Sequence, residues 1–321
     1  MSSAEAPALS AIVGHARWRA FFERAIEADA LAHAYLLVGP EGVGKWTFAR
    51  ALARRLACAS PAGGDACGRC GPCVRTAAGR HPDVSLFDAR AEGKRGLGVE
   101  EVRERLVDAL RLKPMEARLR VVAVNDAERM EPAAQNALLK SLEEPPPRSL
   151  LILTAPEAAA MLETVVSRCL VLRFAAVADA EVESFLVGRG VPAAQARALA
   201  AAAEGRPGRA LAWAEDGVAD FAGLADAFLR GEVEASAVSA NVAALAADLP
   251  EQSAFERRRA AALAFCAALA VRVRARLADS PDDLDEATSL ERSVEAASEL
   301  MASATPELAL DRLTSGLSVT K

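Results

Sequence analysis

The segment Gly39-Pro40-Glu41-Gly42-Val43-Gly44-Lys45 has the spacing of a phosphate-binding loop. Glycines at 39, 42 and 44 let backbone N–H groups turn inward around a phosphate, and a lysine at the end neutralises its charge. Apolar Ala34–Val38 precedes the loop and helical apolar spacing from Lys45 to Leu56 follows it. That strand–loop–helix context separates such a loop from a chance glycine turn. The next position should carry a Ser or Thr hydroxyl for the Mg²⁺ that bridges the phosphates, and it is Trp46, whose indole cannot coordinate magnesium. Thr47 comes one residue late, turned by about 100° around the helix. The second half of such a site is a strand ending in an acid, and Val121-Val122-Ala123-Val124-Asn125-Asp126 fits. Asp126 equally suits a helix N-cap. The glutamate that would orient a water is replaced by Ala127, and Glu128 is out of step. Gly39, Gly42, Gly44, Lys45, Thr47 and Asp126 therefore form a degenerate nucleotide site. Hydrolysis is expected to be badly impaired, and whether the loop keeps any ATP is left open.

Cys58, Cys67, Cys70 and Cys73 form a second constellation, C-x8-C-x2-C-x2-C. Closely spaced thiolates make a tetrahedral S₄ site that suits structural Zn²⁺. An iron–sulfur cluster is the other metal reading, but ferredoxins continue to a C-x3-C-P that this sequence lacks. Cys169 and Cys266 read as small buried residues. His15, His33 and His81 are isolated, and Trp18, Trp46 and Trp213 do not form a base-stacking platform.

The elements that must position these residues alternate in the first half. Strands are expected at Ala34–Val38, Val84–Phe87, Arg120–Val124, Leu150–Leu153 and Leu170–Phe174. Helical patterns cover Lys45 to Leu56, Val99–Leu110 and Ala133–Leu142, the last stopping before Pro145-Pro146-Pro147. This alternation predicts a mostly parallel sheet with helices on both faces. After Phe174 the chain reads as Ala/Leu-rich helix throughout, with boundaries expected near 175 and 218. Ser253 is the expected cap of a long helix reaching about Ala278.

With 38 basic against 44 acidic residues, overall charge argues against broad nucleic-acid binding. The arginines and lysines between 90 and 120 are interleaved with acids and read as a solvated helix face. The first ten residues lack a signal-peptide pattern. The longest apolar run, Ala260 to Val271, is short of the roughly 20 residues a membrane span needs. A cytoplasmic protein is expected.

Four features occur in order: His33-Ala34-Tyr35-Leu36-Leu37-Val38-Gly39-Pro40, the cysteine cluster, Asn136-Ala137-Leu138-Leu139-Lys140-Ser141-Leu142-Glu143-Glu144-Pro145-Pro146, and Ser167-Arg168-Cys169. Together they resemble the bacterial clamp-loader subunits of DNA polymerase III, relatives of eukaryotic replication factor C. The resemblance covers most of 10–175. It implies an α/β AAA+-type P-loop domain (1–175) with an inserted zinc module (58–73), a small helical lid (176–218) and an all-α collar (219–321) for oligomerisation. Within this group the ATP-hydrolysing gamma/tau motors keep the P-loop threonine and the acidic pair. Delta-prime members often do not, and this sequence departs in the same way. The lid arginine of the motors is matched by Gly208. The resemblance assigns Arg168 as an arginine finger acting in trans on a neighbour's ATP, whereas an arginine at a helix–strand junction is ordinarily a surface salt bridge. It implies gamma/tau and delta subunits as partners in a hetero-pentamer, with the sliding clamp and primer–template DNA reached through the complex. The alternatives are a gamma/tau-like motor and a zinc-bearing scaffold outside replication.

Overall fold

The computed structural model describes residues 8–89, 97–215, 221–246, 254–279, 288, 296 and 305–315. Their contacts divide the chain into two compact units, Met1–Val177 and Ala178–Lys321.

The first unit is built on five parallel strands: β1 Ala34–Val38, β2 Val84–Asp88, β3 Arg120–Asn125, β4 Ser149–Ala155 and β5 Leu170–Arg173. Their order is β2-β3-β4-β1-β5. The three central strands are near-continuous apolar runs because both faces are covered. All five residues of β1 are buried, as are the first five of β3 and the last six of β4. Edge strand β5 keeps only Leu172 fully buried.

The covering helices are α1 Ala16–Glu27, α2 Lys45–Ala57, α3 Gly71–Ala77 and α6 Pro132–Glu143, with the single turn α7 Glu163–Val166 before β5. Between β2 and β3 the helix is interrupted. α4 Val99–Glu101 continues through a π-helical segment, Val102–Val107, into α5 Asp108–Arg111. Val102, Leu106 and Leu110 face the sheet as their spacing predicts, and pack with Leu36, Val122, Leu138 and Leu151 in one core. The opposite face is solvated: Arg103, Arg105 and Arg111 lie against Glu100, Glu101 and Asp108 one turn earlier.

The described part of the second unit is helical: α8 Asp179–Val187, α9 Ala193–Ala202, α10 Pro207–Glu215, α11 Ala222–Leu229, α12 Ala235–Leu245, α13 Ala254–Asp279 and α14 Pro306–Ser315. α13 packs on α9, α11, α12 and α14, and Phe265 on it meets Phe228 of α11 with ring centroids 6.4 Å apart. The expected boundary near 218 and the Ser253 cap lie outside the described residues. No described helix is long and apolar enough to cross a membrane.

Candidate nucleotide loop, arginine and cysteine sites

The loop from Gly39 to Gly44 joins the C-terminal end of β1 to α2. Gly39 is required sterically, since a Cβ there would lie 2.2 Å from the Phe174 carbonyl oxygen. Gly42 and Gly44 adopt φ of 80° and 106°, conformations that favour glycine. Lys45 is buried, and its ammonium donates to the carbonyls of Gly39 and, at 3.0 Å, Pro40. The loop is braced from outside by His15, whose Nε2 lies 2.9 Å from the Val43 carbonyl and whose ring packs on Phe174. Trp46 is half-buried and Thr47 exposed.

Asp126 follows β3, so it belongs to the same sheet edge as the loop. It sits at the N-cap position of the 3-10 turn Ala127–Arg129 with φ of 51° and makes no side-chain cap bond. Its N–H donates to Thr154 Oγ1 at 3.0 Å, that hydroxyl donates to Asn125 Oδ1 at 2.8 Å, and Asn125 Nδ2 donates to Asp88 Oδ1 at 3.2 Å. This polar ladder across the ends of β2, β3 and β4 is absent from the sequence reading, which ended β4 at Leu153. A threonine closing an apolar strand was the available signal. Gln135 was missed as well: buried in α6, it donates to the Met130 carbonyl and accepts from the Leu162 N–H, at 3.1 and 2.9 Å. Ala127 is fully buried and offers no carboxylate.

Arg168 stands at the opposite edge of the sheet. Leu170, two residues later, pairs with Tyr35 near the start of β1, whereas the loop follows Val38 at its end. Three strand residues separate those levels, about 10 Å of rise. Arg168 Nη2 is 2.7 Å from Glu143 Oε1. The salt bridge expected of an arginine at such a junction is thus present, on a half-exposed side chain. Gly208 lies in the first turn of α10, where it is exposed.

The four cysteines do converge. Cys58 ends α2, Cys67 and Cys70 lie in the following loop, and Cys73 is buried in the first turn of α3. Their sulfurs all lie within 4.8 Å of one another, with 3.9 Å between Cys58 and Cys70. Thiolates about 2.3 Å from a tetrahedral metal would be about 3.8 Å apart, so the donor set fits such an ion. Burial opposes ionisation of Cys70, yet the N–H groups of Cys73 and Ala59 hold its pKa down to about 6. The Arg69 and Cys70 N–H groups lower that of Cys67. Burial first, and then the hydrogen-bonding sulfurs of Cys70 and Cys58, raise Cys73 to about 12. The module is anchored by Arg54 and Arg55, which donate to the Gly68 and Gly64 carbonyls at 3.2 and 2.9 Å.

Known proteins share much of this sequence and its fold. The chain is 41% identical over 138 residues to the DNA polymerase III subunit delta' of Pseudomonas aeruginosa, covering 43% of this chain and 42% of that protein. The delta' subunit of Escherichia coli is 38% identical over 182 residues, 56% of this chain and 54% of its own. The gamma/tau subunit of Mycobacterium bovis is 39% identical over 159 residues, 49% of this chain and 27% of its own. The matched region thus spans about half or less of these relatives. A crystal structure of a DNA polymerase III gamma subunit-related protein from Thermotoga maritima superposes with a TM-score of 0.51 at 17% identity, over 92% of this chain and 97% of that one, and it shares the fold. The parallel sheet with its P-loop and the helical unit that follows it in sequence make an AAA+-type architecture. The family model for the DNA polymerase III delta subunit matches residues 14–178, just over half of the sequence, and the chain belongs to that family.

Proposed function

We propose that this chain is a delta-prime-type subunit of the DNA polymerase III clamp loader, helping to place the sliding clamp on primed DNA without hydrolysing ATP itself. The observation that carries this is the nucleotide loop. It keeps its glycines and Lys45 but has indole where the magnesium-binding hydroxyl belongs, and buried Ala127 where the water-orienting carboxylate belongs. Gly208 in place of the lid arginine points the same way. Arg168, at the sheet edge remote from its own loop, acts as an arginine finger on the ATP of an adjacent gamma/tau subunit. The guanidinium is permanently charged and makes planar contacts to phosphoryl oxygens. Cys58, Cys67, Cys70 and Cys73 hold one structural Zn²⁺. Residues 1–175, 176–218 and 219–321 serve as nucleotide-type domain, lid and collar of a cytoplasmic hetero-pentamer with gamma/tau and delta.

The likeness to gamma/tau sequences favours one other reading, an active motor subunit. ATP turnover by the isolated chain decides between them. We expect none above background, while the reconstituted complex hydrolyses ATP in response to primed DNA. Robust hydrolysis by the chain alone would establish the motor reading instead.

A further inference from the structure

We infer that Glu143 is the positioning residue of Arg168, fixing the guanidinium in the pose from which it meets a neighbour's phosphate. The inference rests on the finger reading of Arg168. Glu143 is the last residue of α6, which terminates at Glu144 and Pro145. Arg168 lies in the connection between α7 and β5, 25 residues away in sequence. The fold brings the two together, and the arginine is then held on both terminal nitrogens. Nη2 donates to Glu143 Oε1 at 2.7 Å, and Nη1 donates to the Thr164 carbonyl at 2.9 Å and to Ser167 Oγ at 3.2 Å.

The pair is not a device for stability. The side chains are 35% and 51% exposed, and exposed ion pairs add little to folding free energy. Its effect falls on the conformation of Arg168. A long arginine that is free in solvent must give up its rotamers when it contacts a phosphate. One ordered by three acceptors has already done so. The geometry also leaves capacity for the task. A guanidinium carries five N–H donors, the three bonds use three, and two remain for phosphoryl oxygens while the holders stay in place. A carboxylate is the strongest available holder. Its negative charge, however, weakens the pull on an anion, so Glu143 must act through geometry and not through field. Replacing it by glutamine, which keeps an acceptor oxygen and removes the charge, separates the two.

The test uses the complete loader, reconstituted with this chain as wild type, Glu143→Ala, Glu143→Gln, Arg168→Ala and the Glu143→Ala/Arg168→Ala double variant. Assembly and melting are checked for each, and kcat and KM for ATP are measured with clamp and primed DNA. Glu143→Ala is expected to slow the one site that Arg168 serves roughly 3- to 10-fold, which appears in the loader's total kcat as a part of the loss seen in Arg168→Ala, with little change in KM, the size expected when a preorganised catalytic contact is loosened. Glu143→Gln should recover at least half of that loss. The double variant should equal Arg168→Ala alone. The inference is overturned, with the finger reading intact, if Arg168→Ala depresses turnover but Glu143→Ala does not. It is likewise overturned if glutamine is no better than alanine, or if Glu143→Ala adds a further loss in the Arg168→Ala background. Unchanged turnover in Arg168→Ala would remove the finger reading itself, and the inference with it.

Discussion

Asp83 is fully buried at the start of β2 and accepts from the N–H groups of Met115, Glu116 and Ala117, each at 2.8 Å, with Arg120 Nη1 at 3.3 Å. Burial opposes its ionisation, but those three backbone donors hold its carboxyl below the usual range. Removing it takes the acceptor from three amides and the counter-charge from the buried Arg120, whose guanidinium keeps only the Ala109 and Pro82 carbonyls. Asp83→Ala should therefore cost about 3–5 kcal/mol, the range for breaking a buried pair, measured by urea unfolding. Beside it, His81 accepts from the Asp83 N–H at 3.0 Å through Nδ1, so its neutral ring carries the proton on Nε2, 3.3 Å from Glu116 Oε1. Burial lowers the His81 pKa below 6.5, against the pull of Glu116 and Asp83 and with the push of Arg75 and Arg120. The unfolded ring therefore takes its proton at a higher pH than the folded one. Its contribution is fully present above about pH 6.5 and declines as pH falls through the window down to the folded value. Unfolding free energies compared at pH 7.5 and 5.5 should show that decline in the wild type and a smaller one in His81→Gln.

Among the elements, the cysteine module is one in which a bound metal would organise more than its own ligands. The loop between Cys58 and Cys70 has little apolar content, so its shape must come from the ligands and from its polar ties. One of those ties reaches outward: the Asp65 carboxylate accepts the N–H groups of Leu9 and Ser10, at 2.5 and 3.1 Å, fastening the segment that leads into α1. Stripping zinc with a chelator should accordingly raise amide exchange in peptides covering 58–73 and also 8–14, while 149–155 in the central strand stays protected. Acceleration confined to 58–73 would show that Asp65 keeps its hold without metal. Such links mark the limit of what the sequence carried. Strand β1, the glycine loop and α2 were legible because an apolar run, required glycines and a 3.6-residue period all fall within one short segment. The π-helical stretch Val102–Val107 was not, since its apolar residues still fit an α-helical face. Asp83 and Thr154 carry no motif, and the Glu143–Arg168 pair joins residues that are neighbours only after folding.

For the whole molecule, the proposed function turns on the difference between the two ends of the sheet. The nucleotide loop and Asp126 follow the C-terminal ends of β1 and β3, while Arg168 precedes β5 at the other edge. If each end presents half of a site, as proposed, the chain would associate head to tail and not through a self-complementary face. On the function proposed above, this chain, its own loop degenerate, would donate in one direction only. In a ring of that kind Arg168 would serve a single neighbouring site, and any other motor site would draw its finger from another subunit. Arg168→Ala should therefore abolish rapid hydrolysis at one site, an effect of about 10³-fold or more there, yet leave total turnover only partly reduced. Counting ATP hydrolysed per loader in the first turnover after mixing with clamp and primed DNA separates these cases. One site lost, with the rest at wild-type rate, is the expected result. A uniform slowing of every site would mean that Arg168 acts on the assembly as a whole, and an unchanged burst would mean that it meets no phosphate.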